Sequence, residues 1–203
     1  MISIVNYGMG NLGSVLNMFK RIGVAAELAD NPEQLVSAEK ILLPGVGAFD
    51  TAMQRINDAG ILDVLNYKAL VQKVPVLGIC LGMQLLTNSS EEGVLPGLGW
   101  IDGAANSFKG AIDETLRIPH MGWNVANIEQ QNELTKGYDG EIRFYFVHSY
   151  YVKVKNPAHS MMQTTYGLPF DSAIVKDNIF GAQFHPEKSH KFGMQFFKNF
   201  AKL

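Results

Sequence analysis

The sequence predicts an α/β fold: an open, mostly parallel central sheet flanked by helices, with an antiparallel extension, in one domain spanning residues 1–203. Three observations carry that prediction. A strand, a turn and a helix follow one another three times before residue 90. The strands of those units are apolar throughout, as parallel strands covered on both faces are. From Gly97 onward the segments turn aromatic and β-branched, with turn residues between them, which suits antiparallel or mixed pairing.

The elements read in order as follows. "MISIVNY" is a β-branched run closed by Gly8-Met9-Gly10-Asn11, after which Leu12, Val15, Leu16 and Phe19 recur at helical spacing. "KILLPGVGAF" gives a second strand ending at Pro44, and "DTAMQRINDAGILDVLNYKALVQ" carries helical periodicity behind it. "VPVLGICLGMQLLTNS" supplies the third strand and helix, and "RFYFVHSYYVKV" and "SAIVKDNIFGAQFH" supply the extension. The closing helix, "KFGMQFFKNFAKL", places Phe192, Phe196, Phe197 and Phe200 on roughly one face, a stripe that reads as core packing.

Composition excludes several functions. The chain of 203 residues is 47% hydrophobic, enough for a full core. Its single cysteine can form no internal disulfide, so a reducing compartment suffices. There is no basic segment ahead of an apolar core at the N-terminus and no apolar run of membrane-spanning length, so a soluble, cytoplasmic protein is expected. A net charge of -2 offers no field for a phosphate backbone, and nucleic acid is not an expected partner. The histidines are scattered and no metal-ligand spacing occurs, so no metal or other cofactor is expected.

The one cysteine raises the question of chemistry. Cys80 stands in Gly78-Ile79-Cys80-Leu81-Gly82, where the strand of "PVLGI" gives way to the helix of "GMQLLTNS". A lone cysteine is commonly a small buried apolar residue, and that reading stays open. Against it, functional groups in open parallel sheets collect at the carboxyl ends of strands. The flanking glycines also copy a nucleophile elbow, a turn so tight that its nucleophile is pushed up toward solvent. The Leu81 N–H then faces a reacting carbonyl oxygen. A helix N-terminus also favours the thiolate, which for an ordinary thiol is only roughly 3% of the population at pH 7.

A nucleophile of this kind needs a base. His185 ends an apolar run in "GAQFHPEKSH", and Glu187 follows with Pro186 between. Side chains at i and i+2 of an extended segment point the same way, so Glu187 can accept the second ring N–H of His185 and stabilise imidazolium. A surface turn is the competing reading of His-Pro-Glu. In Pro44-Gly45-Val46-Gly47, two glycines let backbone N–H groups turn toward a ligand as an oxyanion hole, where a plain strand-to-helix turn is the alternative.

Taken together, "GICLGMQLL", "FHPEKS" and "PGVGAF" make the chain similar to the class I glutamine amidotransferases, which hydrolyse glutamine and release ammonia to a second active site. "YGMGNL", "LPGVGAFD", "SSEEGVLPGLGW", "PHMGWN" and "FYFVHSYYV" extend the likeness over nearly the whole chain, toward members that supply a (β/α)8 cyclase partner in histidine biosynthesis. The resemblance implies a flavodoxin-like sheet. It implies Cys80 as nucleophile, His185 as general base and acid, and Glu187 as its orienter, with oxyanion donors at Val46, Gly47 and Leu81. Gln84 and Glu92 would contact the substrate L-glutamine, and the backbone at Ser149 and Tyr150 would hold its carboxylate. Asn11, His120, Trp123, Tyr145 and Lys188 would meet the cyclase in a heterodimer.

Other readings remain beside this one. "EKSHKFGM" and "LLTNSSEEG" also resemble paralogues that supply ammonia to a sugar-modifying amidotransferase of surface-polysaccharide synthesis. A cysteine hydrolase acting on peptides or γ-glutamyl conjugates would use the same Cys80 and His185. A structural, partner-binding subunit would leave the cysteine inert.

Overall fold

The computed structural model describes residues 1–203. The first half of the chain holds β1 (Ile2–Val5), α1 (Leu12–Arg21), β2 (Ala26–Ala29), α2 (Pro32–Val36), β3 (Lys40–Leu43), α3 (Phe49–Asp58), α4 (Leu62–Asn66), β4 (Val76–Ile79), α5 (Leu81–Leu85) and β5 (Ser89–Ser90). The second half holds β6 (Gly103–Ser107), β7 (His120–Val125), β8 (Asn127–Ile128), β9 (Arg143–His148), β10 (Tyr150–Val154), β11 (Ser160–Tyr166), β12 (Leu168–Lys176), β13 (Ile179–Ala182) and α6 (His190–Ala201).

The main sheet runs β2-β1-β3-β4-β13-β12-β11-β8. Its first five strands are parallel, and the last three continue antiparallel from β13. The parallel strands are short and apolar because both of their faces are covered. The pleat divides each strand between two cores: Ile41 and Leu43 pack with α3 and α4, and Leu42 packs with α1 and α6. Phe196, Phe197 and Phe200 of α6 are fully buried, Phe192 partly so, and Phe197 lies 4.5 Å from Phe19 of α1. The aromatic stripe is core packing. Beside the main sheet, β7 and β9 form an antiparallel ribbon, and β10, β6 and β5 form a third small sheet.

Two features differ from the sequence reading. The helical run 50–72 is broken, because α3 ends at Asp58 and Gly60 turns the chain with a φ of +65° before α4 begins. The unit β2–α2 had no clear periodicity, since β2 is a four-residue edge strand with Glu27 exposed. No helix is long and apolar enough to cross a membrane.

One pairing positions the site. β4 and β13 are parallel neighbours, with Ile79 opposite Ala182. The residues that leave these two central strands, Cys80 and 183–187, therefore meet at their carboxyl ends.

Candidate active site

Cys80 adopts φ 54° and ψ −111°, a left-handed backbone that costs on the order of 1–3 kcal/mol in a residue other than glycine. Its surroundings impose that geometry. The Cys80 N–H donates to the Ala182 carbonyl at 2.7 Å, continuing the β4–β13 pairing, and the chain must then turn straight into α5. The two glycines serve close approach. A Cβ on Gly82 would lie 1.9 Å from the Leu43 carbonyl oxygen, and one on Gly78 would lie 2.5 Å from that of Gly82. Contrary to expectation, the elbow does not lift the sulfur into bulk water: Cys80 is only 7% exposed and faces the wall of a pocket.

His185 lies beside that sulfur. Its Nδ1 is 2.8 Å from Oε1 of Glu187, and the two side chains are 4% and 2% exposed. The buried Nε2 makes no hydrogen bond. Burial works against imidazolium, but the Cys80 sulfur and the Glu187 carboxylate outweigh it and raise the His185 pKa to about 10. The sulfur and the carboxylate on either side of the ring thus both favour imidazolium over neutral imidazole.

These groups open on a cavity of about 360 Å³. Val46, Gly47, Leu81, Ser149 and Tyr150 line it. Gly47 has a φ of +106°, while Gly45 is needed for contact: a Cβ there would lie 2.9 Å from the Gly82 nitrogen. The 45–47 turn is thus pressed against the elbow, and Leu81, first residue of α5, has an N–H with no partner inside its helix. Glu92 lines the same cavity while its Oε2 accepts from the Phe49 N–H at 2.9 Å, and Asp50 returns the contact by accepting from Val94 and Leu95. Gln84 lines it too, but its N–H groups are spent on the Tyr150 carbonyl at 3.2 Å and on Oε1 of Gln183 at 3.1 Å. A cysteine sulfur, an imidazole held by a carboxylate beside it, and backbone N–H groups around one open pocket are parts that acyl transfer uses.

The family Glutamine amidotransferase class-I matches residues 3–203. The chain belongs to this family. Among its relatives, "Imidazole glycerol phosphate synthase subunit HisH 2" of Pseudomonas aeruginosa is 49% identical over 203 residues, covering 100% of both chains. The protein of the same name from Methanococcus maripaludis is 50% identical, covering 100% of this chain and 99% of its own. "Imidazole glycerol phosphate synthase subunit HisH" of Bdellovibrio bacteriovorus is 47% identical, with 100% of both covered. A solved glutamine amidotransferase superposes with a TM-score of 0.74 at 17% identity over 100% of both chains. PurLQS from Thermotoga maritima superposes with a TM-score of 0.72 at 16% identity, over 99% of this chain and 97% of its own. At those identities the likeness is one of fold.

In this class I glutamine amidotransferase the remaining residues singled out from sequence fall into two groups. Trp123, 45% exposed, sits opposite Tyr145 across the β7–β9 ribbon, and the Lys188 Nζ lies 5.7 Å from the Tyr145 ring centre. Lys188 also lines the cavity, so this cluster stands at its mouth. Asn11 is exposed and caps α1, accepting from the Ser14 N–H. His120 does not belong with them. It is buried against Phe146 and Tyr166, because residues 120 and 123 of one strand point to opposite faces.

Sequence reasoning also missed residues around the candidate site. Gln183 is fully buried with Nε2 3.6 Å from the Cys80 sulfur. Its signal was an amide interrupting the apolar run "IFGAQF" two residues before His185. His148 lines the cavity and supports the Tyr150 carbonyl, and Tyr7 donates to the Pro44 carbonyl at 2.6 Å beneath the 45–47 turn.

Proposed function

We propose that this chain is the glutaminase subunit of an imidazole glycerol phosphate synthase, working in the cytoplasm as a heterodimer with a (β/α)8 cyclase and folding as a single domain. The observation that carries the chemistry is the β4–β13 pairing, which sets the strained Cys80 beside the His185–Glu187 pair. The full-length relatives named HisH support the choice of acceptor.

The Cys80 thiolate attacks the side-chain amide carbon of L-glutamine, and the oxyanion that forms is met by N–H groups of the 46–47 turn and Leu81. As the C–N bond breaks, His185 gives its proton to the departing ammonia, leaving a thioester. His185, neutral at that point, takes a proton from water, whose oxygen attacks the thioester carbon. The C–S bond breaks, the sulfur keeps the electron pair, and glutamate leaves. Glu187 holds the His185 ring in its productive tautomer throughout. Glu92 supplies charge for the substrate ammonium, the 149–150 backbone holds its carboxylate, and the ammonia passes to the cyclase without escaping to solvent.

The test is Cys80→Ala in the reconstituted complex. Glutamine-dependent synthesis should vanish while ammonia-dependent synthesis persists, because only the first reaction uses the thiol. Loss of both would contradict two separate sites.

One observation favours a second acceptor. Two of the relatives carry the numeral 2, which marks more than one such subunit in those organisms. A second copy is free to supply a sugar-modifying amidotransferase of surface-polysaccharide synthesis with the same glutaminase chemistry. Reconstitution with each candidate partner from the same genome decides which one stimulates glutamine hydrolysis.

A further inference from the structure

Gln183 follows β13 directly, with its side chain fully buried between Cys80 and Gln84. Which end of its amide faces the sulfur is fixed by its neighbours. The Tyr150 carbonyl oxygen can only accept, so Gln84 must turn its Nε2 toward it, at 3.2 Å. That same Nε2 lies 3.1 Å from one end of the Gln183 amide, which must then be the oxygen. The nitrogen is left facing the Cys80 sulfur at 3.6 Å. The direction starts at a backbone carbonyl that is itself held by Nδ1 of His148 at 2.8 Å, and passes through two amides to the nucleophile.

Resting on the reading of Cys80 as nucleophile, we propose that Gln183 is a positioning residue of the glutaminase site, whose side-chain N–H donates to the Cys80 sulfur and stabilises its negative charge. The backbone reason is the same β4–β13 pairing that delivers His185. A hydrogen bond to an ionised acceptor is stronger than one to a neutral acceptor, so the contact favours thiolate over thiol and over thioester sulfur. It acts when the thiolate attacks and again when the C–S bond breaks and the sulfur recovers its electron pair. No bond to Gln183 forms or breaks.

The pH dependence of Cys80 alkylation by iodoacetamide, measured on the full chain, reads sulfur ionisation without glutamine. Its outcome is therefore separate from whether glutamine is the substrate. Gln183→Leu removes the donor without adding charge; Gln183→Glu keeps the shape and the acceptor for Gln84. Both should move the alkylation profile to higher pH, by about one unit for the leucine variant, which is about tenfold less thiolate at a fixed lower pH. Turnover with partner should fall by a similar factor with KM for glutamine little changed. An unmoved profile in Gln183→Leu overturns the proposal even where turnover falls, and so does a shift confined to Gln183→Glu. Should both variants fail to fold, the unsubstituted chain still decides. The Gln183 side-chain N–H resonance should shift with the pH midpoint of Cys80 alkylation and lose that dependence in Cys80→Ala. A resonance indifferent to pH overturns the proposal.

Discussion

The carboxylate of Glu187 lies 2.8 Å from Nδ1 of His185, with both side chains closed off from water. Glu187→Gln should therefore act on rate and stability together. Glutamine turnover should fall by about 10²- to 10⁴-fold, because an amide neither stabilises imidazolium nor enforces the tautomer. The folded state should also lose on the order of 1–3 kcal/mol, since a buried charged hydrogen bond is weakened at one partner. Steady-state kinetics and urea denaturation check both. Unaltered turnover would reduce Glu187 to a turn residue.

Acid should destabilise the fold through two other histidines. Asn124 donates to Nε2 of His120, whose Nδ1 lies 2.9 Å from Nε2 of His148, whose Nδ1 in turn donates to the Tyr150 carbonyl. Burial lowers the pKa of His120 to about 4 and that of His148 to about 3, so both rings are neutral in the fold at pH 7. The unfolded chain takes up protons at these residues near pH 6.5, which the fold does not. The stability they permit is complete above that pH and is lost as the pH falls toward 4, at up to about 1.4 kcal/mol per pH unit for each ring. Urea midpoints between pH 7 and pH 4.5 should show a shallower fall in His120→Phe. An equal fall would show that His120 does not report this linkage.

The isolated chain should be a poor glutaminase that its partner switches on. Gly45 is pressed against the elbow, whereas Gly47, with a φ of +106° and no Cβ, lets the 46–47 peptide reorient without the restriction a side chain would impose. One oxyanion donor is worth roughly 10²- to 10³-fold in rate, so a single rotation suffices as a switch. Glutamine hydrolysis is to be compared for the chain alone, with the cyclase, and with cyclase plus acceptor substrate. Equal rates in all three would rule the switch out.

Trp123 should anchor the partner. Exposed at the cavity mouth against Tyr145, it is the kind of side chain that dominates interfaces. Trp123→Ala should weaken association with the cyclase by about 30-fold or more, measured by calorimetry, with the fold unchanged by circular dichroism. Unchanged affinity would place the interface elsewhere.

The sequence by itself determined what is local. The parallel strand–helix units, the glycine-flanked Cys80, the His185-Pro186-Glu187 spacing and the aromatic face of α6 all follow from periodicity and turn chemistry within a few residues. Tertiary structure decided what depends on pairing at a distance. β13 inserts beside β4, and nothing in either segment names the other, because strand pairing is set by the packing of the whole sheet. That insertion brings His185 to Cys80 and carries the unforeseen Gln183 with it. The fate of the ribbon residues turned on register. The pleat has a period of two, so His120 went inward while Trp123, three residues on, went outward, and only the pairing of β7 with β9 fixed which face was which.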